Sequence, residues 1–248
     1  MAYTYSALLS RSRRFPWSAP PSVQFGLWAL AGLGPLVLLV TVVLGLAQPL
    51  AVAVPMLAYG GAVALAGFFL RRTFAYPTLG LCNAVTLGRL VAVAALTGPL
   101  VAGAEVPWAV FCVAALALAL DGLDGWLARY EGRVSAFGAR FDMEVDAALA
   151  LCLALLAWRG DSAGPVVLIL GMPRYGFVAG GLIWPWLAAP LPERFGRKVV
   201  CVVQMAVLIA LQLPFMGGVA GGILAVFAAL ALAWSFGRDI IWLWRVRG

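Results

Sequence analysis

The stretch "LDGLDGWLARYEGRVSAFGARFDMEVDAAL", residues 120–149, carries six of the ten acidic side chains in a 248-residue chain. Asp121 and Asp124 stand at i, i+3, and Asp142 and Asp146 at i, i+4, so on helices each pair faces one side. The connection "YEGRVSAFG" is short enough to force the two helices together, and four carboxylates then converge. Glu131 reads as part of a polar turn. Glu144 points away from Asp142 and Asp146, which suits an interfacial or supporting role.

The surroundings make this cluster costly. The chain is 64% hydrophobic and 11% charged, outside the range of water-soluble domains, and its apolar runs are long, Ala/Leu/Val-rich and without period-2 alternation. These features predict an all-α integral membrane protein and argue against a membrane barrel. Runs of spanning length fall near 26–47, 50–70, 86–103, 106–128, 141–158, 164–187, 198–214 and 217–236, which predicts eight transmembrane helices. Placing the N-terminus inside puts every Lys and Arg on the inner face except Arg159, which falls outside, and Arg174, which lies within a span. Arg89, Arg129 and Arg140 belong to that inner group. The expected topology is N-in and C-in, with residues 1–24 a cytosolic leader without a cleavable signal peptide, 25–70 two accessory helices and 71–248 a six-helix core.

Chemistry is bounded by what is missing. There is no histidine, and the four cysteines stand singly, so imidazole relays, zinc–histidine sites and disulfide frameworks are excluded. From the outer end of the fourth span to Asp121 is about 22 Å of helix, and from Asp142 to Arg159 about 25 Å, so the carboxylates meet at one level beneath the inner surface. Four isolated charges there would cost roughly 10 kcal/mol or more. Arg129 and Arg140 are candidate partners. An all-oxygen, carboxylate-rich site is also what Mg²⁺ or Mn²⁺ prefers, and two such ions would balance four carboxylates and could clamp a pyrophosphate. Gly122, Gly125, Ala128 and Gly138 leave room beside the helices, for close packing or for a flat ligand group.

The spacing Asp121-x-x-Asp124-Gly125-x-x-Ala128-Arg129, eight residues, Gly138-x-x-x-Asp142-x-x-x-Asp146 resembles, without departure, the signature of the CDP-alcohol phosphotransferase (CDP-alcohol phosphatidyltransferase) family. "NAVTLGRL" (83–90) is similar to the family's N-x-x-T-x-x-R segment. "RFGRKVVCVVQ" (194–204) resembles its basic turn, one residue off the commonest spacing and lacking the second lysine. The resemblance covers about 78–236, leaving the first two spans unaccounted for.

It implies a membrane-embedded phospholipid-biosynthesis transferase, commonly a homodimer. Such an enzyme moves a substituted phosphoryl group, here a phosphatidyl group, from a donor such as CDP-diacylglycerol to an alcohol and releases CMP. Carried over by position, Asp121, Asp124, Asp142 and Asp146 hold two divalent cations, Mg²⁺ or Mn²⁺, and Asp146 is also the general base. Thr86, Gly125, Ala128, Arg129 and Gly138 bind the nucleotide donor. Arg174, Arg194, Arg197 and Lys198 are candidates to bind an anionic, phosphorylated acceptor, and an ion pair with one of the clustered carboxylates is the plainer reading of Arg174. A layout with diacylglycerol as acceptor and a CDP-linked small alcohol as donor stays open. A carboxylate-lined ion transporter is the rival class, but it would not need Gly125, Ala128, Arg129 and Gly138 at these spacings. No nucleic-acid partner is expected. The inner face is the cytosolic side of a bacterial or archaeal inner membrane in this reading.

Overall fold

The computed structural model describes residues 19–132, 134–189, 191–192 and 194–246, and among them every regular element is helical. Most of the leader, with Arg11, Arg13 and Arg14, lies outside the described residues, as do Arg133, Glu193 and Arg247.

The helices are α1 (Pro21–Leu38, prolonged by a π-turn over Leu39–Val43), α2 (Pro49–Thr73), α3 (Leu81–Ala95), α4 (Thr97–Ala102), α5 (Pro107–Tyr130), α6 (Ala136–Arg159), α7 (Leu168–Gly171), α8 (Pro173–Ile183), α9 (Phe195–Ala210) and α10 (Gly218–Val246). Proline opens α1, α2, α5 and α8, where its missing N–H costs nothing and its φ is already helical. Ser135 caps α6 by accepting the Gly138 N–H at 2.9 Å. Gly103, at φ +64°, ends α4 in the left-handed conformation that glycine adopts without strain.

Five helical segments are long and apolar enough to cross a bilayer, or six if the bent pair around Met172 is one span. The expected eight are not confirmed, and the three segments outside the count of five have identifiable features. Helix α6 has 24 residues, but its first half holds Arg140, Asp142, Glu144 and Asp146. Helix α9 has 16 residues, about 24 Å, short of a hydrocarbon layer roughly 30 Å thick. The run at 164–187 breaks at Pro173, which cannot continue the hydrogen bonding of α7, and the two pieces meet at 66°. Helix α10 runs ten residues past the expected end at 236.

The span formed by α3 and α4 is the central post. Of its most apolar window 67% is buried, against 17–33% for the other four spans. Around it pack α1, α5 and α6. The accessory pair is built into this core. Leu79, just before α3, donates its N–H to Gln24 Oε1 at 3.0 Å, and Phe25 meets the rings of Phe137 and Phe141 at 6.2 and 6.0 Å. The buried Tyr59 of α2 donates to the Ala29 carbonyl at 2.9 Å, over the bare face of Gly32. Glu131, expected as a plain turn residue, accepts the Leu81 N–H at 3.2 Å, a carboxylate set at the positive end of α3.

Candidate active site

The start of α3, the end of α5 and the start of α6 come together at one end of the bundle. Asn83, Thr86 and Arg89 recur every three residues along α3, share the face turned toward α5 and α6, and are all buried. The expected convergence of the four aspartates is found, and what they converge on is Arg89. Its Nη1 lies 2.9 Å from Asp121 Oδ1 and 2.9 Å from Asp124 Oδ2, and it also meets Asp142, while Nη2 meets Asp146.

This corrects two expectations. Arg89 does not serve as an exposed charge on the inner face; it has no exposed surface at all. Nor do Arg129 and Arg140 neutralise the cluster, since neither forms an ion pair among the described residues. Arg140 lies over the Phe69 ring, 5.7 Å from its centroid, and Arg129 curls back toward Gly125.

The carboxylates differ in environment. The Asp124 side chain is 5% exposed, whereas those of Asp121, Asp142 and Asp146 are 35%, 37% and 38% exposed. Asp124 is thus the inner anchor, held by Arg89 and by the Thr86 hydroxyl at 3.0 Å, whose single proton it shares with the Cys82 carbonyl, also at 3.0 Å. Holding Asp124 is what Thr86 does here, and its burial keeps it off any open surface. The other three carboxylates face outward and offer oxygens within 4.8 Å of one another.

One guanidinium against four carboxylates leaves a formal charge of −3 at the site, a strong pull on cations. The donor set is all oxygen, and oxygens bound to one Mg²⁺ or Mn²⁺ at about 2.1–2.3 Å lie no more than about 4.6 Å apart, so the triad needs little adjustment to take such an ion. The residues fit the divalent metal that the motif implies.

Beside the quartet, Gly122 is open, and a Cβ at Gly125 would meet only Arg129 Nη1, at 3.6 Å. Ala128 is half-buried on the same helix. A Cβ at Gly138 would fall 3.1 Å from Ser135 Oγ and 3.5 Å from Asn83 Oδ1, so the bare glycine lets the first turn of α6 close on α3.

A cleft of about 650 Å³ opens from the quartet, and its lining includes Asp121 and Asp146 together with Arg174, Arg197 and Lys198. Arg174 ion-pairs with the half-exposed Glu144, which stands two residues from both Asp142 and Asp146 and outside the quartet. Arg194 stands 3.7 Å from Asp239. Asp239 is buried, lines the cleft and lies 3.4 Å from Arg197. In the GxxxG stretches Gly176–Gly180 and Gly217–Gly221, Gly221 packs inside the chain against the Ser162 carbonyl, and a Cβ at Gly180 would meet Leu187 at 2.8 Å.

No solved structure matches the chain at a significant level. The sequence signature does find a counterpart. The CDP-alcohol phosphatidyltransferase family matches residues 79–236, from two residues before α3 into the second half of α10, a stretch that contains all four aspartates and Arg89. With well over half of its length matched, the chain belongs to the CDP-alcohol phosphatidyltransferase family, membrane proteins that transfer a phosphatidyl group from a CDP-alcohol.

Proposed function

We propose that this chain transfers the phosphatidyl group of CDP-diacylglycerol to a phosphorylated alcohol and releases CMP, by single displacement. The observation that carries the reading is one continuous cleft lined both by outward-facing carboxylates and by three basic side chains. A phosphorylated acceptor needs both: cations for its phosphate and a base for its hydroxyl.

Asp121, Asp124, Asp142 and Asp146 would hold two divalent cations, Mg²⁺ or Mn²⁺, which when bound supply charge stabilisation for the pyrophosphate of the donor. The rest of the work falls to side chains. Arg89 and Thr86 set Asp124 and so fix the level of the quartet. Gly125, Ala128, Gly138 and Arg129 flank the place where the cytidine and its phosphates would lie. Arg174, Arg197 and Lys198, with Arg194 behind them, draw the anionic end of the acceptor away from the quartet and leave its hydroxyl toward Asp146. Asp146 takes the hydroxyl proton as the acceptor oxygen bonds to the phosphatidyl phosphorus, and the P–O bond to the CMP phosphate breaks. Among the described residues no serine or cysteine sits beside an activating base, so no covalent enzyme intermediate is invoked.

In the same reading the termini and the active site face the cytosol, eight segments cross or enter the bilayer, the enzyme works as a homodimer, and residues 71–248 form the catalytic core with 25–70 as its accessory helices. The test is CMP release from CDP-diacylglycerol by purified protein in lipid with Mg²⁺ or Mn²⁺ and a panel of alcohols. Release with glycerol phosphate or inositol phosphate, lost in Asp142→Asn and Asp146→Asn, supports the reading; release that persists in those variants removes both residues from the mechanism.

A further inference from the structure

The cleft contains one carboxylate that the quartet does not use. Asp239 sits on α10, 1% exposed, among Phe236, Phe177, Leu191 and Met205 on the cleft wall. A carboxylate in such surroundings is retained at a cost unless it is paired and hydrogen-bonded. Its pairing is loose. Arg197 donates to Oδ2 at 3.4 Å and is held from behind by the Pro192 carbonyl at 3.2 Å, while Arg194 stands 3.7 Å from Oδ1, beyond hydrogen-bond range. Charge-assisted pairs close to about 2.7–2.9 Å when nothing else is wanted of them. Oδ1 therefore accepts no hydrogen bond among the described residues, although it is fully buried.

We infer that Asp239 is a specificity-determining residue for the acceptor: Oδ1 accepts a hydrogen bond from a hydroxyl of a phosphorylated polyol whose phosphate lies on Arg197 at the cleft wall, with the Arg194 guanidinium adding charge from behind. The inference rests on the proposed anionic acceptor and adds the group that reads its uncharged part. Two guanidiniums alone would take any phosphate. A carboxylate between them repels a bare anion and rewards one that brings a hydrogen-bond donor, so the Arg–Asp–Arg unit selects for a phosphate attached to a hydroxylated carbon chain. An unphosphorylated polyol satisfies Oδ1 but leaves the guanidiniums without an anion. Inorganic phosphate does the reverse.

Asp239→Asn is the sharpest variant because it keeps the shape. Its carbonyl oxygen is drawn to Arg197, which leaves its NH₂ where Oδ1 was, a donor facing a donor. The experiment is equilibrium binding of radiolabelled glycerol phosphate, inositol phosphate, glycerol, inositol and inorganic phosphate to the full-length protein with Mg²⁺ and CMP present, alongside CMP release from CDP-diacylglycerol. The unaltered protein should bind a phosphorylated polyol more tightly than either inorganic phosphate or the free polyol. Asp239→Asn should weaken the phosphorylated polyol about tenfold or more, as loss of a charge-assisted hydrogen bond does, and inorganic phosphate by less than about threefold. Equal weakening of both ligands, no weakening, or an unaltered protein that prefers inorganic phosphate would overturn the inference. The two readings fail separately. CMP release with an unchanged binding pattern in Asp239→Asn sinks only the role of Asp239, and the expected pattern without CMP release sinks only the proposed reaction.

Discussion

Replacing Arg89 with glutamine removes the one cation that, among the described residues, touches all four aspartates, and the structure sets the size of the effect. The pair with Asp124 is the buried one, with the two side chains 0% and 5% exposed. Breaking such a pair by deleting one partner costs about 3–5 kcal/mol, because the orphaned carboxylate stays out of water. The contacts with Asp121, Asp142 and Asp146, each more than a third exposed, are screened and add about 0–1 kcal/mol apiece. The total is about 3–8 kcal/mol, and for a chain of this size a kilocalorie moves the melting temperature by about 2–4 °C, so Arg89→Gln should melt about 6–32 °C lower in EDTA. The formal charge of the quartet also goes from −3 to −4, and no guanidinium competes for the carboxylate oxygens. A divalent cation at a hundredfold over its Kd returns about 2.7 kcal/mol, or about 5–11 °C, and the variant should gain more from Mg²⁺ than its parent does. The assay is intrinsic-fluorescence melting in nanodiscs at one fixed scan rate, with EDTA and with Mg²⁺. A variant that melts within about 2 °C of the parent in EDTA, or that gains no more from Mg²⁺, refutes the role given to Arg89.

Other substitutions probe the same frame. Thr86→Val deletes the hydroxyl that holds Asp124 and should cost about 1–3 kcal/mol of stability while lowering CMP release; unchanged melting would show that the bond is idle. Phe25→Ala opens a void between α1 and the start of α6 and should cost about 3–5 kcal/mol, with CMP release falling because Asp142 follows directly after Phe141; full activity with unchanged melting would detach the accessory helices from the site. Ser135→Ala removes the α6 cap at a cost of about 1 kcal/mol, read in the same melts. Chelation should abolish CMP release, and Mg²⁺ or Mn²⁺ should restore it; turnover in EDTA would exclude a metal-dependent reaction.

The aspartate quartet was legible because helix spacing alone sets Asp121 with Asp124 and Asp142 with Asp146. Arg89 was misread because an arginine at the end of an apolar run satisfies the inner-face rule wherever it points. Its position eight residues into α3, about 12 Å of helix, was the neglected signal, together with the three-residue interval that aligns it with Asn83 and Thr86. The count of eight spans is not confirmed where local chemistry overrides apolar length, in the charged first half of α6, at Pro173 and in the short α9. Asp239 escaped for the opposite reason. The apolar run stops at Phe236, but "SFGRDIIWLW" still alternates polar and apolar residues at helical spacing, and α10 carries the aspartate inward on its buried face.

The central claim is that the outward-facing aspartates form a divalent-cation site beside the donor. Anomalous scattering from crystals grown with Mn²⁺ and CMP tests it most directly. The account predicts manganese within about 2.0–2.4 Å of carboxylate oxygens of Asp121, Asp142 and Asp146, with the CMP phosphate alongside. Manganese elsewhere, with the quartet still closed on Arg89 and CMP bound away from the cleft, would contradict it.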